Sequence, residues 1–147
     1  MESLPADPNP FADWSAHLFT ANRRQYIITT NTPTLYTMIM YGGGITTDAG
    51  FIAAFRNELS SFLQYAGIGF VFERCIEPQF EQVHYSKSLN RSVTGSMNDL
   101  IYLAKVYLEE GMSVSDVSLH LNQAPMSYIK YLSPAKLFGM VIGSIDK

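Results

Sequence analysis

Apolar residues in the second half of the chain recur at Met97, Leu100, Ile101, Ala104 and Leu108, which is the spacing of one helical face. Leu103, Val106 and Tyr107 widen that face and leave a narrow polar stripe of Asn98, Tyr102, Lys105 and Glu109. The pattern predicts a mostly buried helix. Ser96-Met97-Asn98-Asp99 has the spacing of a capping box, with Ser96 as N-cap and Asp99 reaching back. Gly111 suits the position just past the end.

The rest of the pattern falls on either side of this helix. Pro5, Pro8 and Pro10 make residues 1–12 an extended arm. Asp13 is placed to cap a short helix through Thr20 that buries Trp14, Leu18 and Phe19. Gln25 to Thr30 reads as a strand. Leu35 to Tyr41 is ambiguous, and Tyr, Thr and Ile tip it toward a strand paired with the previous one. Thr47 or Asp48 caps a helix with Phe51, Phe55, Leu59, Phe62, Leu63 and Ala66 inward, ended by Gly67. Ile68–Ile76 and Phe80–Lys87 read as a hairpin around Glu77-Pro78-Gln79. Ser113 and Asp116 form a second capping box, opening a short helix to Leu121. Met126 to Leu132 supplies another helical turn, and Ser133-Pro134 opens a last helix with Leu137, Phe138, Val141 and Ile142 inward. The expected fold is α+β: a small, mostly antiparallel sheet of about four strands packed against a helix-rich C-terminal half, with residues 13–147 as a single domain.

At 147 residues and 47% hydrophobic content, the chain can bury a proper core. A net charge of −3 speaks against bulk nucleic-acid binding through a basic surface. The single cysteine, Cys75, excludes an intrachain disulfide and fits a reducing cytoplasm. No apolar run reaches the length of a membrane span, and the acidic, Pro-rich N-terminus is not a signal peptide.

Asn90-Arg-Ser-Val-Thr-Gly-Ser-Met-Asn-Asp-Leu100 resembles the signature of an uncharacterised bacterial domain-of-unknown-function family, whose members read close to N-R-S-V-L-G-S-M-N-D. Asp13–Phe19, Arg23–Asn31, Thr34–Tyr36 and Leu119–Pro125 also match, so the resemblance covers most of the chain; Thr94 stands where leucine is common. Members often carry additional residues before the tryptophan region, and an absent first strand would leave a sheet edge open for pairing. The resemblance implies one compact bacterial domain and brings no established activity.

The richest polar constellation precedes the central helix: His84, Lys87, Asn90, Arg91, Ser92, Thr94 and Ser96. Free amides and the dipole at a helix start favour an anion, and Arg91 could add a bidentate contact. Asn90, Arg91, Ser92, Ser96, His84 and Lys87 are therefore the candidate ligand-binding residues. The bland alternative is that they satisfy neighbouring backbone groups and fix how the chain enters the helix. Arg23 and Arg24 with Lys87 and Arg91 could form one basic spot, although a solvated strand edge accounts for them as well. Gly42-Gly43-Gly44 lacks the Lys-Ser/Thr of a phosphate loop and reads as a turn. His17, His84, His120 and Cys75 have no metal-ligand spacing, so no metal and no cofactor is expected. A His84 base with a Ser92 or Ser96 nucleophile would make a phosphoester hydrolase, but no nucleophile-elbow pattern supports it.

No catalytic residue is therefore assigned. The leading reading is a non-enzymatic cytoplasmic module that binds a protein partner or itself, without nucleic acid or membrane. A binder of small anionic ligands or nucleic acid at Asn90–Asp99 is second, and the hydrolase third.

Overall fold

The computed structural model describes residues 7–86 and 90–145. Lys87, and with it the end of the expected hairpin, lies outside them. Three antiparallel strands, β1 (Trp14–Ala21), β2 (Arg24–Asn31) and β3 (Thr37–Tyr41), form one sheet in the order β1-β2-β3. Helices α1 (Asp48–Tyr65), α2 (Gly69–Val71), α3 (Arg91–Glu109), α4 (Val114–Leu121) and α5 (Pro134–Ile145) follow.

Strand β2 carries buried side chains on both faces, Tyr26 and Ile28 on one and Ile27 on the other. Such a continuous apolar run needs both faces covered. On the first face, Phe19, Tyr26, Ile28 and Ile39 pack with Val93, Met97, Leu100, Ile101, Ala104 and Leu108 of α3 and with Val117 and Leu121 of α4. On the second, Ile27, Met38 and Met40 pack with Phe55, Leu59, Phe62 and Leu63 of α1 and with Phe138 of α5. The sheet therefore lies between two helical layers. Full burial of each large side chain contributes roughly 1.5–3 kcal/mol.

The expected α+β class holds, with three strands among the described residues in place of about four. The helix expected from Asp13 through Thr20 is instead strand from Trp14 onward. Asn22 and Arg23, at φ 50° and 62°, close a two-residue turn, and this type I′ geometry matches strand twist and pairs all of β1 with β2. Asn22 Nδ2 donates to Leu108 O at 2.8 Å, pinning the turn to the end of α3.

The hairpin expected over 68–87 is also absent from the described residues. Gly67, at φ +84°, ends α1, and the chain continues as α2, a π turn (Phe72–Ile76) and a 3-10 turn (Glu77–Glu81). That path buries Val71, Phe72 and Ile76 beneath α1, and an ion pair of Arg56 with Glu77 ties the two segments. Residues 82–86 hold no strand.

The remaining boundaries follow their caps. Thr47 Oγ1 accepts from Gly50 N at 3.0 Å, Ser113 Oγ from Asp116 N at 3.2 Å and Ser133 Oγ from Lys136 N at 3.2 Å. The helical turn expected after Met126 is a short 3-10 turn, Ser127–Ile129.

Candidate functional site

Helix α3 starts six residues earlier than the Ser96 capping box predicts. Asn90 is the N-cap, and its Oδ1 accepts from Ser92 N at 3.0 Å and from Val93 N at 3.1 Å. Ser96 lies a full turn inside, and its buried hydroxyl donates to Ser92 O at 2.8 Å. This back-bond within the helix uses the hydroxyl that was expected to cap. Asp99 is exposed one turn further on. The wet side of α3 is also wider than a stripe, because Arg91, Ser92, Thr94, Gly95, Asn98, Asp99, Tyr102, Lys105 and Glu109 are all exposed.

A shallow cleft of about 410 Å³ opens beside this entry, lined by Ser92, Gly95, Ser96, Asp99, Ser127 and Tyr128. Asn90 Nδ2 donates to Tyr128 Oη, on the cleft lining, at 3.3 Å. Of the six expected ligand residues, Ser92 and Ser96 line the cleft, Asn90 borders it, and Arg91 is exposed in the first turn. His84 is exposed in the irregular segment, without a hydrogen bond to the cleft among the described residues, and Lys87 lies outside those residues. Pattern reading missed Asp99, Ser127 and Tyr128 as lining. Asp99 adds a carboxylate that repels an anion, and Asn90 already takes two of the free amides an anion would use. Among the described residues, which exclude Lys87, the basic spot does not assemble either. The β1–β2 turn meets α3 at Leu108, while Arg91 begins that helix, so at 1.5 Å per residue they stand about 25 Å apart. Arg24 instead lies over the Tyr41 ring, 5.5 Å from its centroid.

The sheet offers a second candidate at its edges. In β3 the residues bonded to β2 alternate with residues facing outward: Asn31 N donates to Tyr36 O at 2.7 Å and Gly42 N to Gln25 O at 2.9 Å, which turns Thr37 and Ile39 away from β2. Helix α4 meets both. Asn122 Oδ1 accepts from Thr37 N at 2.7 Å, and its Nδ2 donates to Thr37 O at 2.8 Å. Ser118 Oγ accepts from Ile39 N at 3.0 Å while donating to Val114 O at 3.0 Å. Ser118 and Asn122 are buried, one helical turn apart, and together take the place of a fourth strand. The only signal for them in sequence is two polar residues at positions i and i+4 on an otherwise apolar helical face.

Among the described residues strand β1 has no such cover. The turn closes on the Ala21–Arg24 pair and Thr32 N donates to Asp13 O at 3.0 Å, so the odd-numbered residues bond to β2. Ala16, Leu18 and Thr20 therefore direct their N–H and C=O groups outward, and all three are exposed. Leu18 is 64% exposed, on the sheet face that α1 covers only further in. Among the described residues no strand pairs with this edge.

Among the described residues no group of three or more His, Cys, Asp or Glu is placed to hold a metal ion, and no helix is long and apolar enough to cross a membrane. No curated protein and no solved structure matches the chain. A family model does, over residues 1–137, and the chain belongs to that family, described as Domain of unknown function (DUF6933).

Proposed function

We propose that this domain is a protein-interaction module whose binding element is the outer edge of β1, and that it works without catalysis. The contrast between the two sheet edges carries this reading: β3 is clamped by Asn122 and Ser118, while among the described residues the outward peptide groups of β1, beside an exposed Leu18, have no partner. Natural proteins blunt a free edge with lysine, proline or a bulge. Residues 14–21 contain neither lysine nor proline, and their pairing with β2 is unbroken. An added strand on such an edge gains affinity from main-chain bonds and specificity from alternate side chains.

Selection from a displayed library of random peptides tests the reading. Wild type enriches extended peptides that protect the amides of Ala16, Leu18 and Thr20 from hydrogen exchange. Leu18→Pro removes an outward donor and leaves the β1–β2 bonds in place, so it recovers none of them. Leu18→Lys is the second variant, should the proline unfold the strand. Equal recovery by wild type and both variants sinks the reading.

The cleft beside Asn90 keeps the small-anion reading as the alternative, with the exposed Arg91 as its cation. A thermal shift with inorganic phosphate that disappears in a folded Arg91→Ala variant would favour it. For the hydrolase, the Ser96 hydroxyl is held on Ser92 O, and among the described residues no base bonds to it. The motif resemblance and the lone cysteine support a bacterial, cytoplasmic setting.

A further inference from the structure

We infer that the strand received by β1 is β1 of a second copy, antiparallel and centred on Leu18; this rests on the reading of the β1 edge as the binding element. A two-fold axis pairs a strand with itself, so the register must be self-complementary. The outward groups sit on the even-numbered residues of β1, of which Ala16, Leu18 and Thr20 are exposed. Centring on Leu18 sets Leu18 against Leu18 of the second copy and Ala16 against its Thr20, so every outward group in the run finds a partner, about six hydrogen bonds in all.

The side chains agree with this register. The two Leu18 side chains meet on one face and cover each other's apolar surface. On the other face His17 meets Phe19 of the second copy, so no like charges face each other. Beyond the paired run, the nearest formal charges flanking the strand are Asp13 before it and Arg23 in the turn after it, so each end of the pair brings opposite charges from the two copies to the same side. Shifting the axis by one residue toward the N-terminus sets His17 on His17; shifting it toward the C-terminus leaves Ala16 unmatched. The contact is small, which puts it in the weak, concentration-dependent class.

Sedimentation equilibrium of the whole chain from micromolar to millimolar concentration tests the inference. Wild-type mass rises from 16.5 kDa toward twice that value. Leu18→Lys and Leu18→Asp each weaken association at least tenfold, and mixing the two variants in equal amounts restores it, because position 18 faces itself. A wild type that stays at 16.5 kDa throughout overturns self-pairing, and the peptide selection then decides the edge reading by itself. Association equally strong in both charged variants places the contact elsewhere and overturns it too. Failure of the mixture to recover, with each variant folded and monomeric, overturns the Leu18-centred register.

Discussion

The sheet ends in two edges, β1 of eight residues and β3 of five, and the protein treats them differently. At β3, the outward groups of Thr37 and Ile39 are met by side chains from a helix some eighty residues later in the chain. At β1, the outward groups of Ala16, Leu18 and Thr20 have no hydrogen-bond partner among the described residues, and all three residues are exposed. The comparison shows that a helix can close a sheet when two of its polar side chains copy the spacing of a strand's peptide groups. Asn122 is suited to this, because one carboxamide donates and accepts at once, as a backbone peptide does.

The largest expected effect follows from removing that carboxamide. Asn122→Ala leaves the N–H and C=O of Thr37 buried without partners. At about 1–3 kcal/mol for each stranded group, the loss is about 3 kcal/mol. Urea denaturation reads it as a lower midpoint at similar slope. A loss below about 0.5 kcal/mol would mean that water serves the β3 edge as well as α4 does, and the contrast would collapse.

Ser118→Ala comes next. It orphans only the Ile39 amide, so the expected cost is about 1–2 kcal/mol. Hydrogen exchange sharpens the point, since the Ile39 amide should lose protection while that of Met40, which faces β2, keeps it. Equal loss at both amides would mean that α4 detaches as a unit.

The opposite expectation holds at the bare edge. Leu18→Lys in dilute solution, where the chain is a single copy, should change stability by less than about 0.5 kcal/mol, since its side chain is 64% exposed. A cost matching that of Asn122→Ala would show that Leu18 is already covered within one chain.

The capped edge was partly legible in sequence and the bare edge was not. Strands β2 and β3 follow from runs of β-branched and apolar residues, and α1, α4 and α5 from Thr47, Ser113 and Ser133 at their starts. Strand β1 was hidden because Asp13, Trp14 and Leu18 imitate a capped helix, while the turn that makes the strand uses Asn22 and Arg23 with no glycine. Residues 68–76 read as a strand from Phe70, Val71 and Phe72, yet packing beneath α1 favours a helical path for them. At the entry to α3 two caps competed. Ser96 has the better pattern, but Asn90 wins because starting there adds Val93 to the buried face. The Asn122–Thr37 clamp joins residues too far apart in the chain for any local pattern to reveal it.

The smallest effect concerns how α4 is held from its outer side. Tyr65 at the end of α1 donates to Asp116 in the first turn of α4, at 2.6 Å. That bond, then the Ser113 side chain, holds the Asp116 carboxyl below its ordinary 3.8; desolvation opposes them, and the charge of His120 adds a smaller lowering pull. The same bond, with the Asp116 charge, pushes the Tyr65 hydroxyl above its ordinary 10.0. The signs give a window with two limits. The folded state favours ionised Asp116, so this contribution is complete above pH 3.8 and is lost as pH falls through the lowered value. It also favours neutral Tyr65, so the contribution holds below pH 10.0 and is lost as pH rises through the raised value. Both groups are exposed, so the effect on overall stability is small and the titration is the sensitive readout. In Tyr65→Phe, the NMR titration midpoint of Asp116 should move up toward 3.8 while the Asn122 contacts with Thr37 persist. An unmoved midpoint would mean that α4 is held on the sheet by its inner clamp alone, and the β3 edge would then depend on Asn122 and Ser118 without an outer strap.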